Sequence, residues 1–162
     1  MSIRFSGMST EEADALRAGG PDANGQAAAR AISDGEGIPC RHCLKLIPKG
    51  EAYLVFALRP FSTIQPYAEV GPAFVCQASC QAHCDAALSA SSRLPEVFAD
   101  SPTYIVRGYR ADETIVYGSG GVVPNTAIID RSRALFDDPK ICFVHVRSAS
   151  NNCWQARIDR DS

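Results

Sequence analysis

The chain has no run of lysines or arginines, and no apolar stretch near the roughly 18 residues needed to cross a bilayer. Its formal net charge is only −2. Phosphate neutralisation by a basic surface is left without support, as is binding to an anionic membrane. Neither nucleic acid nor a membrane is therefore expected among its partners. Met1 to Gly20 carries charges throughout and lacks the apolar core of a signal peptide, so a cytoplasmic location is expected. Internal repeats and low-complexity tracts are absent. The seven cysteines are odd in number and unevenly spaced, which argues against a disulfide framework in that compartment. Hydrophobic residues are plentiful, at 46 % of the 162 residues. That is enough for one packed domain spanning 1–162.

A short helix is predicted over 9–18, capped by Ser9 or Thr10, with Glu11, Glu12 and Asp14 where the helix dipole favours anions. Gly19, Gly20 and Pro21 stop it. Residues 19–38 hold five glycines among polar residues and read as a long, mobile surface segment. A strand over 51–58 (EAYLVFAL), a proline-punctuated loop over 59–72 and a short strand over 73–76 (AFVC) follow. A helix is then expected from Ser79 to about Ala90. Residues 103–162 are more regular. TYIVRGY (103–109) and ETIVY (113–117) read as a hairpin, 118–124 as a glycine-rich link, and 125–137 as a helix capped by Asn125. ICFVHVR (141–147) and CWQARID (153–159) form the last hairpin. Placing Arg147 opposite Cys153 puts Cys142, Val144, Val146, Trp154, Ala156 and Ile158 on one apolar face. His145, Arg147 and Cys153 then lie on the outer face.

Zinc needs four soft or borderline donors at tetrahedral corners. Cys40-Arg41-His42-Cys43 is a knuckle that brings two sulfurs to one ion, and residues 76–84 offer Cys76, Cys80, His83 and Cys84. Cys76 ends a strand, and Cys80 would sit at a helix N-terminus, where thiolates are favoured. The predicted ligands are thus Cys40, Cys43, Cys76 and Cys80, with Cys84 as alternate and His83 as a possible substitute. A redox pair is disfavoured, because Pro48-Lys49-Gly50 follows the knuckle where a thioredoxin-like helix would be needed. Four thiolates leave no open position on Zn²⁺, so the site is structural, and Arg41 is a candidate to offset its charge.

Cys40-x-x-Cys43, Ile47 to Glu51 and Phe74-Val75-Cys76-x-x-x-Cys80 together resemble a treble-clef finger. The outline is also similar to the poly(ADP-ribose) polymerase type of finger, from which the CxxxC spacing departs. On a wider scale, GGPDANGQ (19–26), PCRHCL (39–44), GPAFVC (71–76), RGY (107–109), IVYGSG (115–120) and VHVRSASNNCWQARIDR (144–160) resemble an uncharacterised bacterial family, the domain of unknown function number 1203. The resemblance implies a shared fold unit, with His or Cys at the position of Cys76 and Cys at that of Cys80. It implies no activity.

Two other constellations stand out. Cys153 would lie diagonally from His145 across the last hairpin, about 7–8 Å between Cα atoms, and Arg147 would lower its pKa. That is a candidate nucleophile pair. Arg107, Arg147, Asn151 and Asn152 suit contacts to an anion or small molecule. Gly118 to Gly121 is too far from the helix at Asn125 to serve as a phosphate loop. The sequence therefore points to an α+β domain. A zinc-bound knuckle, hairpin and helix within 1–100 would pack against a mixed ββαββ sheet within 101–162. The expected function is a zinc-stabilised module for a small molecule or protein, with a small Cys153 enzyme as the alternative.

Overall fold

A computed structural model describes residues 1–83 and 93–161. In chain order the elements are β1 (Ile3–Ser6), α1 (Thr10–Arg17), β2 (Ala29–Ile32), β3 (Ala52–Leu58), β4 (Gly71–Cys76), β5 (Thr103–Tyr109), β6 (Gly121–Pro124), α2 (Ile128–Leu135), β7 (Phe143–Ser148) and β8 (Trp154–Arg160). The first sheet has the order β1-β8-β7-β5-β6 and the second β2-β3-β4. The α+β class holds, and every strand pairing within the two sheets is antiparallel rather than mixed. No helix among the described residues is long and apolar enough to cross a membrane.

Local chemistry explains most element ends. Ser9 Oγ accepts from the Glu12 N–H at 3.1 Å, the N-cap expected of it, and α1 buries Ala13 and Leu16. Residues 19–38 are more ordered than their glycine content suggests. Asp22 accepts from the N–H groups of Asn24, Gln26 and Ala57, which ties that turn to β3. β2 then adds to the β3 edge. ETIVY is not a strand: Glu113 takes a left-handed φ of 69°, and only Ile115 bridges back to Tyr109. Its place beside β5 goes to β6, within the predicted glycine-rich link. Asn125 caps no α-helix; its Nδ2 donates to Phe98 O at 3.0 Å, and a 3₁₀ turn over Asn125–Ala127 leads into α2. Residues 79–83 are irregular, so no helix begins at Ser79, and the remainder of that predicted helix from residue 84 lies outside the described residues.

The last hairpin pairs two residues away from the predicted register. His145 faces Arg157 and Val146 faces Ala156. A two-residue shift preserves facial parity, so Val144, Val146, Ala156 and Ile158 are buried on one face, against α2 and the turn at Glu96–Ala99. Cys142 lies before the strand and is exposed. Between Val146 and Arg147 the register slips, and Arg147 pairs with Trp154. Gln155 is thereby the extra residue of a β-bulge, which turns Trp154 onto the face of His145 and Arg147. That face is not exposed as predicted. His145 is 0 % and Arg147 5 % accessible, because the segment after β3 covers them. Trp154 packs in a second core with Met8, Leu16, Cys40, Cys43, Phe56 and Val75.

Candidate functional site

The knuckle is built by its backbone. Cys40 N–H donates to Lys45 O and Leu44 N–H to Cys40 O, with Leu44 at a left-handed φ of 54°. Arg41 N–H donates to Phe74 O at 2.8 Å, which docks the knuckle beside β4 and brings Cys76 into range. The Cys76 N–H donates to Cys40 Sγ at 3.4 Å. Gly7, between β1 and α1, crosses directly over the knuckle: a Cβ there would meet Arg41 O at 2.1 Å. Met8 N–H donates to that same carbonyl at 2.7 Å.

Cys40, Cys43, Cys76 and Cys80 meet here, their four Sγ atoms all within 4.8 Å of one another. Cys40 and Cys43 are buried; Cys76 and Cys80 are half-buried. The four could hold a metal ion. Cys84 lies outside the described residues, and His83 is not among the clustered donors. Without a cation, four sulfurs this close cannot all ionise. Hydrogen bonds from Cys43 and Cys76 hold the Cys40 thiol down. Donating to Cys40 pushes the Cys43 thiol up to about 12 and raises that of Cys76. Burial, then the Cys40 charge, raises Cys80.

Donors to the sulfurs come from α1 and from His42 of the knuckle rather than from Arg41. Arg17 donates through Nη2 to Cys80 Sγ at 3.2 Å and through Nε to Cys76 O at 3.0 Å. Arg41, the predicted compensator, turns away. Its guanidinium donates to Trp154 O and Pro39 O, and burial lowers its pKa to about 10. His42 Nδ1 lies 3.0 Å from Cys80 Sγ and its Nε2 2.8 Å from Thr10 Oγ1. With the Thr10 hydroxyl donating to Nε2, the Nδ1–H donates to sulfur. His42 was visible in the knuckle sequence. Arg17 and Thr10 carried no signal, because nothing in a helical pattern reveals which distant residue a helix will meet.

The second constellation is divided. Arg147, Asn151, Asn152 and Cys153 line one cavity of about 200 Å³. Arg147 donates to Asn152 Oδ1 at 2.8 Å and to Glu69 Oε2 at 2.5 Å. Arg107 reaches the other oxygen of Glu69 at 3.2 Å and is not part of the cavity wall. His145 and Cys153 are not brought together. His145 pairs with Arg157, four positions from Cys153, or about 13 Å along an extended strand. The Cys153 thiol contacts Asn151 O at 3.7 Å, and His145 lines a different cavity. No nucleophile pair forms.

Fold and site define a small α+β protein with a closed four-cysteine centre able to take a metal ion. The family model described as protein of unknown function (DUF1203) matches residues 37–160, and the chain belongs to that family. No curated protein and no solved structure matches the chain. The matched stretch contains all four clustered cysteines, whereas α1, with Thr10 and Arg17, precedes it.

Proposed function

We propose that the four cysteines bind one Zn²⁺ as a structural centre, and that the protein is a ligand-binding module which this centre holds in shape. The sulfur cluster is the observation that carries this reading. A tetrahedron of Zn–S bonds near 2.3 Å has edges of about 3.8 Å. Cys40 Sγ and Cys80 Sγ stand 3.9 Å apart, and no pair in the cluster exceeds 4.8 Å. Thiolate donors select zinc or another soft ion over magnesium or calcium. With all four positions taken by sulfur, the ion has no site for water or substrate, so its role is to fix the fold. The Arg17 guanidinium, the His42 N–H and the Cys76 N–H answer the net charge of −2 that four thiolates and Zn²⁺ carry.

The centre joins α1, the knuckle, β4 and the segment after it; α1 borders two cavities, and the knuckle and β4 border another. Structural zinc contributes about 10–16 kcal/mol in isolated fingers, comparable with the whole stability of a typical domain. Stripping the ion with a strong chelator under reducing conditions should therefore abolish the cooperative melting transition, and Zn²⁺ should restore it. Metal-free protein that melts at the original temperature would refute the structural role. Among the described residues Cys153 has no base beside it: its thiol contacts Asn151 O, and His145 lines a different cavity.

A further inference from the structure

Five side chains among the described residues bury nitrogen atoms that have no hydrogen-bond partner there: Arg59, Gln65, His145, Arg147 and Trp154. Buried polar groups are ordinarily satisfied, so such atoms call for an explanation. Three of the five, Arg59, His145 and Trp154, line one cavity of about 300 Å³. His145 is fully buried, with neither ring nitrogen engaged. Trp154 is 8 % accessible and stands edge-on to His145, with ring centroids 5.8 Å apart. The β-bulge is what aims Trp154 there; a regular strand would turn its ring to the opposite face.

The cavity has a built roof. Phe61 lies over His145 with ring centroids 5.1 Å apart. Glu113 secures that segment by accepting from the N–H groups of Ser62 and Thr63 and from the Thr63 hydroxyl. Those three bonds occupy the Glu113 carboxylate, although it too borders the cavity. Among the buried groups the capacity left over is mostly donor: Arg59 Nε–H, Trp154 Nε1–H and one imidazole N–H, with one imidazole lone pair as acceptor, while Glu12, an exposed residue of α1, brings a second carboxylate to the lining. Met8, Leu58 and Phe61, together with the polar Glu12, Arg59 and Ser62, also line a second cavity of about 340 Å³, so apolar wall is shared between the two. Small-molecule sites share this plan of apolar walls with a few convergent polar groups.

We infer that this cavity binds a small organic hydroxycarboxylate, with its carboxylate on Arg59 and Trp154, its hydroxyl on His145 and its apolar body against Phe61, Leu58 and Met8. The inference rests on the ligand-binding reading above and is independent of the metal's identity. Burial, reinforced by Arg147, Arg157 and Arg107, keeps the imidazole neutral and so preserves its lone pair for the hydroxyl.

Trp154 is the sole tryptophan, so its indole N–H resonance and its fluorescence report from the cavity wall itself. The zinc-loaded full chain would be titrated with mandelate, mandelamide and 2-amino-1-phenylethanol. Mandelate should shift the indole resonance saturably, and the amide and amine should bind at least about tenfold more weakly. Arg59→Met, at a half-buried position, should weaken mandelate roughly ten- to a hundredfold while leaving the melting temperature in place, and His145→Phe should weaken it similarly. Equal binding of the amide or amine would overturn the carboxylate assignment and leave a ligand-binding cavity standing. No response to any probe up to about 10 mM would overturn the site, while the zinc centre stands or falls on the chelation and melting experiment. Unchanged mandelate affinity in both variants would overturn the assigned residues.

Discussion

Replacing His145 with phenylalanine removes an imidazole that burial holds neutral, and the effect on stability can be worked out. In the unfolded chain this histidine takes up a proton near 6.5. In the folded protein burial, followed by Arg147, Arg157 and Arg107, holds its pKa well below that value. Arg107 and Arg157 flank it directly across β5 and β8, and Phe61, Tyr109, Phe143 and Trp154 surround its ring. Below 6.5 the unfolded state therefore binds more protons than the folded state, and stability is lost as pH falls. One such group costs about 1.4 kcal/mol per pH unit in that window. From about pH 7.5 to about pH 5.5, wild type should lose roughly 1.4 kcal/mol more than His145→Phe. Urea denaturation of the two zinc-loaded proteins at constant ionic strength measures the difference, and protonation at the cysteine cluster, common to both, cancels. Parallel pH profiles would refute the argument, as would a histidine nitrogen spectrum showing a protonated His145 at about pH 6.

Arg17→Met removes the donor to Cys80 Sγ and Cys76 O, and should reduce zinc affinity roughly ten- to a hundredfold, read by competition with a chromogenic chelator. Glu113→Ala leaves three donors at Ser62 and Thr63 unanswered and should cost about 2–3 kcal/mol in denaturant unfolding. Burial alone would raise the Glu113 carboxyl, but those hydrogen bonds outweigh it and leave the pKa lowered. Its contribution should thus be complete above 4.5 and disappear as pH falls below that, a dependence the alanine variant should lack. Gly7→Ala forces a Cβ against the backbone of Arg41 and should destabilise by about 3 kcal/mol or more, whereas Gly25→Ala meets open space and should cost only about 1–2 kcal/mol for its left-handed φ of 76°.

Much of the core was legible because periodicity reports burial. α1 and β3, β4, β5, β7 and β8 follow from their caps and apolar patterns, and the cysteine spacing announced the cluster. The strands that were not foreseen, β1, β2 and β6, are four-residue edge strands. An edge strand pairs on one side only, and so short a segment carries too little alternation to be distinguished from a loop. ETIVY shows the reverse error: its apolar alternation is sound, but Glu113 adopts a left-handed turn and spends its carboxylate on Ser62 and Thr63. The hairpin parity survived a two-residue register error and failed at Trp154, where one extra residue reverses the face. His145 and Arg147 looked solvent-facing because alternation within a strand says nothing about what a distant loop will lay over its polar side. Arg17 and Thr10 were invisible at the cysteine cluster for the same reason, since tertiary contact selected them.

X-ray absorption at the zinc edge, on protein purified under reducing conditions without added metal, tests the central claim most directly. The account predicts one zinc per chain with four sulfur neighbours near 2.3 Å and no nitrogen or oxygen in the first shell. Absent zinc, or a shell containing a nitrogen or water ligand, would contradict it.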